Sequence, residues 1–477
     1  MLKDHFISQM KLSLGFTPTS DQEQLMCQLA DFVLSQQPRS VFLLSGHAGT
    51  GKTSVMSALV KTLVSFRQPC VLMAPTGRAA KVMAVEAEHP AHTIHRQIYR
   101  QESALMSADF ALGFNKRRDA LFIVDEASMI SNGEQGHSIY GSGRLLEDLV
   151  EFVYASPGCR LILMGDDAQL PPVGEAVSPV FADGMLETCG LQVWKASLKD
   201  VVRQKKRSGI LWNATRLRQF IAAREVQSFP RICFSRFPDV TNVPGNELIE
   251  ELSSSYSRVG LDDTIVVTRS NKRANVYNQG IRFQILGREE ELSSGDYVMV
   301  AKNNYYWLES EMGKNIALPM DFIANGDIAV VERVRDMREL YGFRFATCWL
   351  RFPDYDDYEL EATVLLDTLH AESPALPQTD MERMLQAVME EENADGTKKN
   401  QMKLVRDNPY LNALQIKFAY AVTCHKAQGG QWAHVYVDQG YITGDMLGMD
   451  YYRWLYTAMT RATDKLFLVN WKEELSE

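Results

Sequence analysis

The chain has 477 residues, 45% hydrophobic and 23% charged, with a formal net charge of −10. This is an ordinary soluble balance that divides into about three or four domains. No run approaches the roughly 18 apolar residues of a membrane span, and Met1-Leu2-Lys3-Asp4-His5 lacks the apolar core of a secretory signal. Seven cysteines (Cys27, Cys70, Cys159, Cys189, Cys233, Cys348, Cys424) include no C-x-x-C pair, and their odd number argues against a disulfide framework. A reduced, cytoplasmic compartment is expected.

In chain order, Thr19-Ser20-Asp21-Gln22 reads as a helix start with Thr19 as N-cap. An apolar strand at Val41–Leu44 then runs into Gly46-His47-Ala48-Gly49-Thr50-Gly51-Lys52-Thr53, a full G-x-x-x-x-G-K-[ST] phosphate loop, with a helix-forming stretch from Ser54 to Val64. In such a loop, glycines let backbone N–H groups turn inward around phosphates, and the helix N-terminus adds positive potential. Lys52 would reach the β/γ oxygens of a nucleoside triphosphate, and Thr53 would hold Mg²⁺. Further strands are expected at Cys70–Met73, Leu121–Val124 and Leu161–Met164, each ending in a polar turn. The pattern is α/β, a parallel sheet with sites at the strands' carboxyl ends. Asp125-Glu126 after the third strand divides into a metal-holding carboxylate and a water-activating one. Gln169 in Gly165-Asp166-Asp167-Ala168-Gln169-Leu170-Pro171 has an amide able to accept from water and donate to phosphate. His47 is a tolerated variable position of the loop. A short insertion spans about 97–119, and Ser131 to Gly143 reads as a mobile loop.

A second α/β pattern begins near Lys195, with strands at Thr264–Val267, Ile416–Thr423, His434–Val437 and Leu466–Val469. Between Ser294 and Tyr358 lie short β-rich pieces (Tyr297–Val300, Ile328–Val331, Phe345–Leu350) separated by turns, which suits an inserted small barrel. Met381 to Asn400 reads as an acidic helix and a flexible loop. The expected division is a first lobe over 1–195, a second over 196–290 and 406–477, and the barrel over 291–405. Basic clusters at Lys116-Arg117-Arg118 and Arg203–Arg207 stand apart from the acidic Asp354–Glu359 and Glu390–Glu392. A local basic channel is therefore compatible with the acidic sum.

Several segments resemble the motifs of superfamily 1 helicases, from about residue 17 to 465. Ala74-Pro75-Thr76-Gly77-Arg78 resembles their DNA-contacting motif, and Thr93-Ile94-His95-Arg96 the short motif after it. Gly165–Pro171 resembles the motif linking γ-phosphate to nucleic acid, and Val202-Arg203-Gln204 the arginine motif that opens the second lobe. Thr423-Cys424-His425-Lys426-Ala427-Gln428-Gly429 is similar to the T-x-H-K-[SA]-Q-G segment of RecD-like and Dda-like enzymes. Tyr456-Thr457-Ala458-Met459-Thr460-Arg461-Ala462 resembles the family's last motif. Thr19–Gln22 matches the family's adenine-reading T-x-x-Q element, and Gly295–Met299 with Asn325–Ile328 its inserted SH3-like barrel.

The resemblance implies two RecA-like lobes with ATP and Mg²⁺ between them. The adenine would lie near Gln22, the phosphates on Gly46 and Gly49 to Thr53 with Gly429 beside them, and the metal on Thr53 and Asp125. Lys52, Asp125, Glu126, Gln169, Arg203 and Arg461 would carry the hydrolysis. Pro75, Thr76, Arg78, His95, Thr423, His425 and Lys426 would hold single-stranded DNA. The implied activity is a 5′→3′ DNA helicase in DNA repair or recombination, acting on single strands and duplex junctions, with single-strand-binding or nuclease proteins as partners and no membrane. Two departures stand out. The first-lobe insertion leaves room only for a small strand-separating hairpin, and the long amino-terminal region of stand-alone RecD-like enzymes has no counterpart. Cys424 is expected to pack rather than react. An ATPase subunit of a nuclease complex and a nucleotide switch without nucleic acid share the phosphate loop. For the switch, Asn271-Lys272-Arg273-Ala274 lacks the Asp of a guanine-reading N-K-x-D.

Overall fold

The computed structural model describes residues 2–35, 37–101, 110–133, 141–199, 208–308, 318–320, 322–391 and 407–477. In the amino-terminal part, β1 (Ser40–Gly46), β2 (Cys70–Ala74) and β3 (Ala91–Thr93) are followed by a hairpin of β4 (Tyr99–Gln101) and β5 (Phe110–Leu112). Then come β6 (Leu121–Val124), β7 (Arg160–Gly165) and β8 (Gln192–Leu198). Apart from the hairpin they form one parallel sheet of order β3-β2-β6-β7-β1-β8. Its inner strands are apolar on both sides because helices cover both faces, as parallel sheets require. Leu44, Leu59, Leu72 and Ile123 pack on one face, and Leu43, Met73, Phe122 and Leu163 on the other. The phosphate loop, the Asp125 turn and the Gly165 turn all leave carboxyl ends of adjoining strands, which brings three distant segments together.

Strand β8 lies in this first sheet, in register with β1 from Ser40↔Gln192 to Gly46↔Leu198, although the second α/β pattern was expected to start near Lys195. As an edge strand it keeps residues such as Gln192 and Ser197 exposed. It therefore lacks the apolar run that marks a central strand.

The second lobe holds β9 (Val240–Val243) and β10 (Thr264–Thr268). The chain then enters the barrel strands β11 (Tyr297–Val300), β12 (Ile328–Leu340), β13 (Phe343–Phe352), β14 (Tyr358–Leu365) and β15 (Leu414–Phe418). It returns through β16 (Ala421–Thr423), β17 (Trp432–Asp438) and β18 (Ala462–Val469). Strands β11 to β15 close a barrel, and β16-β10-β17-β18-β9 form a second parallel sheet. The run expected as one strand at Ile416–Thr423 is thus two. Phe418 ends the barrel and Ala421 enters the sheet, so the barrel reaches beyond residue 405. Its apolar interior is continuous with one face of the second sheet, through residues such as Val266, Val298, Leu350, Ile416 and Phe467. A buried polar knot reinforces the joint: Arg282, Arg288 and the Tyr420 hydroxyl all bond the Asp296 carboxylate, at 2.8–3.0 Å.

Toward the first lobe the barrel makes a more polar contact. Tyr355 donates to Asp327 (3.0 Å), and both side chains crowd the place where a Cβ on Gly77 would be. Lys81 Nζ donates to the Pro353 carbonyl (2.5 Å). From the hairpin, Phe110 stacks on Tyr305, which stacks on Phe322 (centroids 4.3 and 4.8 Å). The tip of this hairpin lies outside the described residues. Of the stretch expected as acidic helix and loop, the described part is a helix over Gln378–Glu391. Among the described residues no helix is long and apolar enough to cross a membrane.

Candidate nucleotide cleft

The phosphate loop takes its shape from Gly49 and Gly51, both left-handed (φ +77° and +81°), where a side chain would be strained. Lys52 opens the helix Lys52–Ser65, and its Nζ donates to the carbonyls of Gly46 (2.6 Å) and His47 (3.0 Å). The ammonium therefore bridges the loop's entry strand. Thr50 is buried, its hydroxyl donating to the His47 carbonyl (2.8 Å).

The loop lines a cavity of about 950 Å³ shared by both lobes. The first lobe contributes Lys52, Thr53, Asp125, Glu126 and Gln169, and the second Gly429, Thr460 and Arg461. Burial, followed by the neighbouring Glu126 charge, pushes Asp125 up to about 7. Lys52 offsets this only in part, and two carboxyls side by side suit a cation. Among the described residues no cluster of three or more His, Cys, Asp or Glu could hold a metal alone. Thr53 and Asp125 both line the cavity, a donor set compatible with Mg²⁺, which binds one or two protein ligands and takes the rest from phosphate and water. Gln169 is buried with Oε1 lacking a hydrogen-bond partner among the described residues. An orphaned acceptor on a cavity wall costs free energy unless a ligand or water meets it.

Arg461 is buried at the cavity wall and held by its own lobe. Nε donates to Thr457 O (3.1 Å), Nη1 to Gly430 O (3.1 Å) and Nη2 to the Thr460 hydroxyl (3.3 Å). A surface pair with Asp464 is not formed; Asp464 lies 3.7 Å from His434 instead. Gly429 is left-handed (φ +75°), and a Cβ there would meet Thr76 Oγ1 at 3.0 Å and Ala79 Cβ at 3.2 Å across the lobe boundary. Cys424 is buried, donating its thiol to Trp454 O, a packing role.

Other expected residues lie differently. Gln22 is buried and does not line the cavity. Its Oε1 accepts from Thr19 N (3.1 Å) in a capping box, and its Nε2 donates to Thr50 O (3.2 Å), so it braces the phosphate loop. Gly46 ends β1 behind the loop. Arg203 lies outside the described residues. His47 is pushed down to about 4 by burial and then by Arg218, so it stays neutral.

The residues expected at a nucleic-acid strand spread over the two lobes. Thr76 caps the helix Gly77–Ala87, accepting from Ala79 N (3.2 Å), with Pro75 beside it. Arg78 lies over Trp432 (4.2 Å) and donates to Gln431 O (3.0 Å), so it ties the lobes. Burial pushes His95 down to about 4, a neutral ring beside Tyr99. Across the boundary, Thr423 precedes the short helix Cys424–Ala427, His425 is exposed, and Lys426 bonds Asn325 of the barrel. Burial, then Lys417, holds Lys426 down at about 8.

The structure adds residues that sequence reasoning did not single out. Arg218, on the helix Gly209–Ala223, bonds Asp166 and Asp167 across the lobe boundary. Tyr456, Thr457 and Gln428 bond the same first-lobe turn. The last three fall within segments that carry the family resemblance, whereas Arg218 had no signal beyond a charge on an amphipathic helix.

Comparison with known proteins agrees with this geometry. Residues 19–227 match the family described as AAA domain, and residues 418–469 match the UvrD-like helicase C-terminal domain. The chain is 21% identical over 526 residues to uncharacterized protein R530 of Acanthamoeba polyphaga mimivirus, covering 92% of this chain and 97% of that protein. It is 32% identical over 143 residues to the ATP-dependent RecD2 DNA helicase of Deinococcus radiodurans, covering 29% of this chain and 17% of that protein. It is 24% identical over 275 residues to the ATP-dependent DNA helicase dda of Enterobacteria phage T4, covering 54% of this chain. The match spans 55% of the phage protein's length, so both helicases are matched over less than two thirds of their own chains.

Proposed function

This chain belongs to the superfamily 1 helicases, in the RecD-like and Dda-like branch, and we propose that it is an ATP-dependent motor that moves 5′→3′ on single-stranded DNA and opens duplex junctions. The observation that carries the reading is the single cleft in which Lys52, Asp125, Glu126 and Gln169 meet Gly429 and Arg461 of the other lobe.

In this reading the backbone amides of Gly49 to Thr53 seat the phosphates, and Lys52 exchanges its two loop carbonyls for phosphate oxygens. Thr53 and Asp125 would hold magnesium, which would supply neutralising charge to the phosphate oxygens. Glu126 orients the attacking water and takes its proton, and the free Gln169 acceptor fixes that water from the other side. Arg461, with Arg203, answers the charge spread over the transferring phosphoryl group. Because Arg461 belongs to the second lobe, closure is favoured when the γ-phosphate is present and is released by hydrolysis. Pro75, Thr76 and His95 on one lobe and Thr423, His425 and Lys426 on the other would line and hold the strand, so closure advances it. Arg78 reaches that strand only by leaving Trp432, a change tied to lobe motion. Duplexes carrying a 5′ or a 3′ single-stranded tail test the reading. Opening of the 5′-tailed duplex alone is expected. Opening of the 3′-tailed one alone would reverse the direction, and opening of neither would remove the motor.

A further inference from the structure

The turn after β7 carries Gln169, a cleft-lining residue whose side-chain acceptor is buried without a partner among the described residues. This first-lobe turn is gripped from the second lobe at four points. Tyr456 donates its hydroxyl to Asp166 Oδ2 (2.5 Å), and Arg218 bonds Asp166 Oδ1 and Asp167. Leu170 N donates to Thr457 Oγ1 (2.9 Å), and Gln428 Nε2 donates to Leu170 O (2.8 Å). The Tyr456 oxygen also accepts from Ala48 N of the phosphate loop (3.3 Å). One buried hydroxyl therefore touches the phosphate loop, the Gln169 turn and the last helix of the second lobe at once.

We propose that Tyr456, with Arg218 on the same carboxylate, is a positioning residue that ties the placement of Gln169 to the closure of the lobes, on a path separate from Arg461. Inside the turn the signal has a short way to travel. Asp166 Oδ1 accepts from Ala168 N (3.1 Å) and Asp166 O from Gln169 N (3.2 Å). Hydrogen bonds weaken steeply with distance and angle, so parting of the lobes by about an ångström breaks the Tyr456 bond. Parting also strips Arg218 from a fully buried carboxylate, which leaves a charge uncompensated and makes the closed arrangement all-or-none rather than graded. Burial alone would raise Asp166, but Arg218, Lys52 and the Tyr456 hydroxyl together hold it below its usual range. Tyr456 itself is raised by burial and by Asp166, and so remains a donor. A hydroxyl serving only packing would contribute stability and nothing to the dependence on DNA.

This rests on reading the cleft as the ATP site, so the experiment separates the two ideas. ATP hydrolysis by the full chain is measured with and without single-stranded DNA for wild type, Tyr456→Phe, Arg218→Met and the double variant, with melting temperatures alongside. Tyr456→Phe removes one oxygen and keeps the ring. We expect DNA-stimulated kcat to fall about tenfold with KM for ATP within about threefold, so that the ratio of stimulated to basal turnover collapses. The double variant should lose less than the product of the single losses, because both residues act through Asp166. A wild type that does not hydrolyse ATP would refute the cleft. A wild type that does, beside a Tyr456→Phe variant with full stimulation, would overturn the positioning role. Equal loss of basal and stimulated turnover, or fully multiplicative losses in the double variant, would overturn it too.

Discussion

The two parallel sheets meet the cleft with opposite edges. The first lobe offers the carboxyl ends of β1, β6 and β7, where the phosphate loop, Asp125-Glu126 and Gln169 emerge. The second lobe offers the segments before β17 and β18, where Gly429 and Arg461 lie. Its own carboxyl ends, at Thr268 and Thr423, open elsewhere, toward Asn271, Lys417 and Lys426. Related architectures thus do different work according to the edge presented. In the proposed reading, amides, a lysine and carboxylates on one side would make a resident anion and metal seat. An arginine held by its own lobe on the other would arrive with lobe motion.

If the first edge is the seat, its chemistry is the most sensitive to substitution. Lys52→Ala should cut ATP turnover by about 10³-fold or more while the circular dichroism spectrum stays native; a folded variant with normal turnover would break the comparison at its strongest point. Glu126→Gln should cost about 10²-fold in turnover and keep ATP binding, measured by equilibrium titration. Loss of binding in parallel would make Glu126 a structural or metal-holding group.

The second edge is tested by Arg461→Lys, which keeps charge but loses the planar fork. A loss of about 10²-fold or more in DNA-stimulated hydrolysis is expected, with nucleotide binding changed far less. Unchanged stimulation would detach this edge from catalysis.

The smallest effect concerns the contact of barrel and first lobe, away from the cleft. Burial pushes Asp327 up to about 7, above its value in an unfolded chain, about 3.9. Between those values the folded state holds a proton that the unfolded state has lost, so stability falls as pH rises from about 4 to 7 and then levels. Wild type should lose on the order of 2–5 °C in melting temperature across that window through this group, and Asp327→Asn should show a shallower slope. An identical slope would mean that Asp327 is ionised in the folded protein.

What was legible in the sequence follows the same physics. Leu121–Val124 and Tyr297–Val300 are observed as expected, because short apolar runs bounded by turns allow little else. The Gln192–Leu198 edge strand carried no such run, and Phe418 to Ala421 showed no break because Phe418, Tyr420 and Ala421 all pack in the interior that barrel and sheet share. Cleft residues were readable where the chemistry is local, as in Gly49 to Thr53. Gln22 was readable as a helix residue but not as a brace, since its second partner, Thr50, is distant in sequence. Arg218 was invisible because its partners, Asp166 and Asp167, lie on the other lobe.

The central claim, that both edges form one DNA-responsive ATP site, is tested most directly by steady-state ATP hydrolysis titrated with single-stranded DNA. The account predicts a slow basal rate that rises about tenfold or more to a plateau as strand is added. A rate indifferent to DNA at every concentration would contradict it.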